Sequence, residues 1–149
     1  MADKRLSCPF STSLKEGADS LILGIGTDIV AIERIEAGLA RHGDHFAERI
    51  LSEEELLHLP KGKRAAAYLA GRWAAKEAFV KALGTGFAQG IGPGQISITN
   101  TASGAPVLEP QGKAKQYAEK KGAARIHVSI SHDASQAVAF VILEGEDHE

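Results

Sequence analysis

The chain has 149 residues, 44% of them hydrophobic, which suffices to bury one core and sets a single globular domain as the expectation. With 17 Lys+Arg against 19 Asp+Glu the formal charge is −2, so no global field attracts nucleic acid or an anionic membrane, and an anionic partner must meet a local basic patch. No apolar stretch has the length of a membrane span, and the single Cys8 excludes an internal disulfide and fits a reducing compartment.

Residues 1–20 mix Lys4, Arg5 and Lys15 with acids and serines and hold no apolar block of secretory length, so they read as a mobile cytoplasmic tail ahead of a domain over 21–149. LILGIGTDIV, from Leu21 to Val30, is an apolar run broken by Gly24 and Gly26, the pattern of a buried strand whose backbone is closely approached. Asp28 falls near its end. Ile32, Ile35 and Leu39 then recur at spacings of three and four, predicting an amphipathic helix that stops before Gly43. Ser52 and Glu55 form a capping box, which starts a second helix running to about Pro60. The stretch from Arg64 to Leu83, rich in alanine and leucine, predicts the longest helix, with Gly84 as its left-handed terminator.

Gln95 to Thr99 alternates with β-branched residues, and turn chemistry from Asn100 to Pro106 leads to a short strand over Val107 to Glu109, predicting a hairpin. A polar helix follows from about Gly112 to Lys121. Arg125 to Ser131 and Ala137 to Leu143, separated by HDASQ, predict a terminal hairpin. Strands and helices are segregated and no repeat is present, which points to an α+β fold, an antiparallel sheet with helices packed on one face.

Among residues with chemistry to offer, Asp28 is a carboxylate in an apolar strand and needs a cation, a donor or solvent. It reads equally as a cap for the helix that follows and as a metal ligand. On the long helix, Glu77 interrupts a stripe of Ala70, Trp73 and Ala74, and it either pairs with Lys81 one turn on or serves with Asp28 as an oxygen-only Mg2+ site. Lys81 would then meet phosphates. Five glycines between Gly84 and Gly94 offer backbone N–H groups to anions, a weak signal by itself. Ser131, His132 and Asp133 alternate across a strand and cannot form a hydrolase triad, so His132 reads as a turn residue or a phosphate contact. His42 and His45 lack a nearby cysteine and are disfavoured as zinc ligands.

GIGTDIVAIERIE, FAERILSEEE, LAGRWAAKEAFVKALGTG and HVSISHD occur in this order, and together they resemble the bacterial holo-acyl-carrier-protein synthases of the phosphopantetheinyl transferase superfamily. The resemblance covers about Leu21 to Leu143. It implies transfer of the 4'-phosphopantetheine arm of coenzyme A to a carrier-protein serine, in support of fatty acid biosynthesis, with Mg2+ held by Asp28 and Glu77 and with Lys81 beside the phosphates. It implies further that Arg72 and the Gly84–Thr85–Gly86 turn hold coenzyme A, and that His132 reaches its nucleotide phosphate from the adjoining subunit of a homotrimer. Arg34, Arg41 and Arg49 would face an acidic helix of the acyl carrier protein. The base for the serine would be Glu77 or a water held by the metal. Two departures stand out: the long segment before Leu21, and His45 where some relatives carry arginine, which implies a weaker or more pH-sensitive carrier surface. An Mg2+-dependent hydrolase and a regulatory coenzyme A-binding trimer are the rival readings.

Overall fold

The structure, a computed structural model, describes residues 21–146; the expected tail, residues 1–20, lies outside them. The order is β1 (Ile22–Ala31), α1 (Ile32–His42), α2 (Asp44–Ile50), α3 (Glu53–Leu57), α4 (Arg64–Leu83), β2 (Ile96–Asn100), β3 (Pro106–Pro110), α5 (Gly112–Lys121), β4 (Ala123–His132) and β5 (Gln136–Gly145). The chain is α+β, and the strands are antiparallel throughout. They form two sheets instead of the single one expected: a three-stranded sheet ordered β1-β5-β4 and the separate β2-β3 hairpin. Among the described residues no helix is long and apolar enough to cross a membrane.

Period-two alternation decides which side of the larger sheet is covered. Ala137, Ala139, Val141 and Leu143 of β5 point inward and are buried beneath α4, while Val138 and Phe140 point outward and are exposed. Cross-strand partners follow suit: Gly26 pairs with Val141 and Asp28 with Ala139 on the inner face, and Ile29 pairs with Val138 on the outer. Ile25 and Ile29 are 58% and 59% exposed, so the β1 run, apolar on both faces, is buried on only one within this chain.

Helix α4 is the spine of the core. Leu69, Ala70, Ala74, Ala75, Ala78, Phe79 and Val80 have essentially no exposed surface. The helix ends as anticipated at Gly84, with φ of 80°. The amides of Thr85 and Gly86 both donate to the carbonyl of Val80, at 3.2 Å each, closing the helix end. The capping box is present: Ser52 N–H donates to Glu55 Oε1 (2.8 Å), and Glu55 N–H to Ser52 Oγ (3.3 Å). Helix α3 stops at Leu57, short of Pro60. Helix α2 was not anticipated, because its two turns bury only Ala47 and Ile50 fully and leave too short an apolar pattern to register.

Candidate active site

Two glycines build the site by having no side chain. Gly24, Gly26 and Asp28 lie on the inner face of β1, and a Cβ placed on Gly24 or Gly26 would stand 2.0 Å from the carbonyl oxygen of Ala82 or 1.8 Å from that of Ala78. The backbone of α4 therefore rests on the backbone of β1. That contact places Asp28 under the last turns of α4, where Lys81 Nζ donates to Asp28 Oδ1 at 2.9 Å and to the carbonyl of Thr27 at 3.0 Å. The N-cap of α1 is Ala31, with no side-chain cap, so Asp28 does not cap the helix and instead lines the cavity. Lys81 spends its ammonium on β1 and not on the intrahelical pair that its spacing from Glu77 allowed.

Asp28, Glu77 and Lys81 open into a cavity of about 630 Å³, also lined by Arg34, Arg49, Phe46, Trp73 and Pro93. Burial, reinforced by the negative charge of Asp28, pushes the Glu77 carboxyl above the usual carboxylate range, and Lys81 pulls the other way. The cavity thus sets two carboxylates that repel one another beside the cations Lys81, Arg34 and Arg49. Among the described residues no group of three or more His, Cys, Asp or Glu side chains is arranged to hold a metal; this pair is the oxygen-donor set facing the cavity.

The other expected residues are distributed less evenly. Arg34 and Arg49 line the cavity, whereas Arg41, in the last turn of α1, is exposed and outside its lining. Arg72 lies over the ring of Tyr68, 4.2 Å from its centroid, and donates to Asn100 Oδ1; its buried Nε has no hydrogen-bond partner. The backbone donors of Gly84, Thr85 and Gly86 are committed to the end of α4. His132 closes β4, exposed and opposite Ala137. Asp133 is a turn-maker: its Oδ1 accepts from the amides of Ser135 and Gln136, both at 2.8 Å, and these bonds hold its carboxyl below the usual range.

Two features escaped the sequence. Trp73 stacks on Phe87 with ring centroids 5.5 Å apart, pinning the glycine-rich loop to the cavity wall. Lys76, beside Glu77, is wholly buried and paired with Glu55. A lysine in the middle of an alanine-rich helix was the available signal.

The fold is α+β with a cavity lined by acidic and basic side chains, and comparison with known proteins specifies its family. Residues 24–141 match the family model of the 4'-phosphopantetheinyl transferase superfamily, and the chain belongs to that family. A holo-[acyl-carrier-protein] synthase of Desulfovibrio desulfuricans is 52% identical over 124 residues, covering 83% of this chain and 98% of the relative. The crystal structure of the holo-[acyl-carrier-protein] synthase from Neisseria meningitidis superposes with a TM-score of 0.77 at 41% identity, over 83% of this chain and 98% of that one. The Helicobacter pylori synthase, solved in complex with coenzyme A, gives 0.70 at 34% identity, over 80% and 99%.

Proposed function

We propose that the chain transfers the 4'-phosphopantetheine moiety of coenzyme A to a serine of apo-acyl carrier protein, giving holo-acyl carrier protein and adenosine 3',5'-bisphosphate in support of fatty acid biosynthesis. The observation that carries this reading is the convergence of Asp28 and Glu77 with Lys81, Arg34 and Arg49 on one cavity, in a chain of this family.

Asp28 and Glu77 suit Mg2+, which favours oxygen donors, takes few of them from protein, and would relieve the repulsion that raises the proton affinity of Glu77. When bound, Mg2+ neutralises charge on the coenzyme A pyrophosphate. Lys81, half-exposed and tethered only at its tip, can turn from Asp28 to the departing nucleotide phosphate as negative charge builds on its oxygen. Glu77, or a water directed by it, would take the proton from the incoming serine hydroxyl. The apolar wall of Val30, Ile35 and Phe46 would limit the access of water, which favours transfer over hydrolysis. The nucleophile belongs to the partner.

Arg34 and Arg49 serve carrier recognition at the cavity mouth, and Arg41, seven residues beyond Arg34, extends the same patch outward. The exposed apolar face of Ile25, Ile29, Val138 and Phe140 supports self-association, because an uncovered patch of this kind marks an interaction surface, and the family resemblance implies a homotrimer. In that assembly Arg72, Gly84, Thr85, Gly86 and His132, which lie outside the cavity of one chain, hold coenzyme A across a subunit boundary. Arg72 Nε, a buried donor without an acceptor, fits such a role. The enzyme works in the cytoplasm, and residues 1–20 are dispensable for the reaction.

The test is incubation with coenzyme A, Mg2+ and apo-carrier protein, read by mass spectrometry. Transfer adds the phosphopantetheine mass to the carrier. Consumption of coenzyme A without that addition favours a hydrolase, and binding without turnover a regulatory trimer.

A further inference from the structure

Lys76 has no exposed surface, yet its ammonium has three acceptors: the carbonyl of Ile50 at 2.6 Å, Glu55 Oε1 at 2.5 Å and the carbonyl of Pro93 at 2.9 Å. That is the full donor capacity of the group. Glu55 is equally occupied: Oε1 also accepts from Ser52 N–H at 2.8 Å, and Oε2 accepts from Ile98 N–H at 3.3 Å. A buried ion pair adds little stability over well-packed apolar residues, since desolvating both charges offsets much of their attraction. Stability alone does not account for it.

The two carbonyls supply the account. Ile50 ends α2 directly after Arg49, Pro93 lies near the end of the glycine-rich loop, and Arg49, Ile50 and Pro93 all line the cavity. Lys76 is the residue before Glu77. One buried ammonium thus ties two segments of cavity wall to the helix that carries the Glu77 carboxylate.

We propose that Lys76 is a positioning residue for the transfer, holding the Ile50 and Pro93 carbonyls against α4 so that Arg49 and its wall keep a fixed place relative to Glu77; this rests on the cavity being the transfer site. Glu55 neutralises the clasp and joins it to α3 and β2. Lys76 itself touches no substrate.

Three variants test it in the transfer assay: Lys76→Met, Glu55→Gln, and the two combined. The unaltered protein is run first, and its failure to transfer refutes the assigned reaction and not the clasp. Loss of folded molecules lowers the apparent kcat and leaves KM unchanged, whereas a displaced Arg49 raises the KM for the carrier. The double variant, which leaves no unpaired buried charge, is expected to fold and to show a carrier KM raised roughly tenfold. Glu55→Gln leaves Lys76 its two carbonyls and is expected to melt lower with a carrier KM within about twofold of the unaltered protein. A carrier KM unchanged in the double variant overturns the proposal. If no Lys76 variant folds, Glu55→Gln decides: an unchanged carrier KM supports the clasp on the carbonyls, and a raised one overturns it.

Discussion

The contact between β1 and α4 makes Gly26→Ala the most informative single perturbation of this protein. The added Cβ would sit 1.8 Å from the Ala78 carbonyl oxygen and 2.8 Å from the Ala82 nitrogen, both backbone atoms that cannot rotate away. Restoring ordinary contact requires the strand and helix to part by more than about 1 Å, a distortion of the kind that costs roughly 1–3 kcal/mol in an overpacked core. For a domain of this size that lowers the melting midpoint by roughly 4–12 °C. Function should suffer more, because Asp28 lies two residues along the same strand face and Glu77 adjoins Ala78. A misplacement of about 1 Å between groups that must act together costs on the order of a hundredfold in rate. The assay pairs thermal melts by circular dichroism with carrier modification by mass spectrometry, at a temperature where the variant is folded. Gly94→Ala is the control, since a Cβ there meets nothing within 4 Å and its backbone is not left-handed. A Gly26→Ala protein that melts and transfers like Gly94→Ala would refute the claim that backbone contact builds the site.

Ionising Glu77 is unfavourable in the folded chain, because its carboxyl lies above its unfolded-state range through burial and the charge of Asp28. Its contribution to stability is therefore present at low pH and lost as the pH rises through the folded value. Without Mg2+, Glu77→Gln is expected to raise the melting midpoint at neutral pH and to leave it unchanged in strong acid, and Mg2+ should then stabilise the unaltered protein alone. In carrier titrations Arg34→Glu should raise KM more than Arg41→Glu, because only Arg34 lines the cavity; equal effects would place recognition outside it. Phe140→Asp, on the exposed sheet face, should shift the mass found by light scattering from that of the proposed trimer to that of a monomer and abolish transfer, whereas an unchanged mass with full rate removes that face from assembly.

Where one physical signal dominated, the sequence was legible. Asp28 stood out because a carboxylate in an apolar strand must be compensated, and the structure supplies Lys81. The glycines before it announced a close backbone approach, and α4 provides it. Helix α4 itself, with its glycine terminator, follows from composition. Other features rest on tertiary relations that periodicity does not carry. Glu55 was readable as a capping residue, but its second partner, Lys76, lies 21 residues away on another helix. LILGIGTDIV reads as buried on both faces, although α4 covers only one; hydrophobicity does not distinguish a face packed by its own chain from one left open. The break between the two sheets is a matter of which strands pair, β3 with β2 and not with β4, which no local pattern encodes.

Trp73 is the chain's only tryptophan, and it lines the cavity while stacked on Phe87 of the glycine-rich loop. Excited at the red edge of the protein's absorption, where its two tyrosines absorb little, the protein emits from this one site. Any event that displaces the loop or fills the cavity will alter the spectrum, so ligand association can be followed in real time without a label. The protein carries its own optical probe.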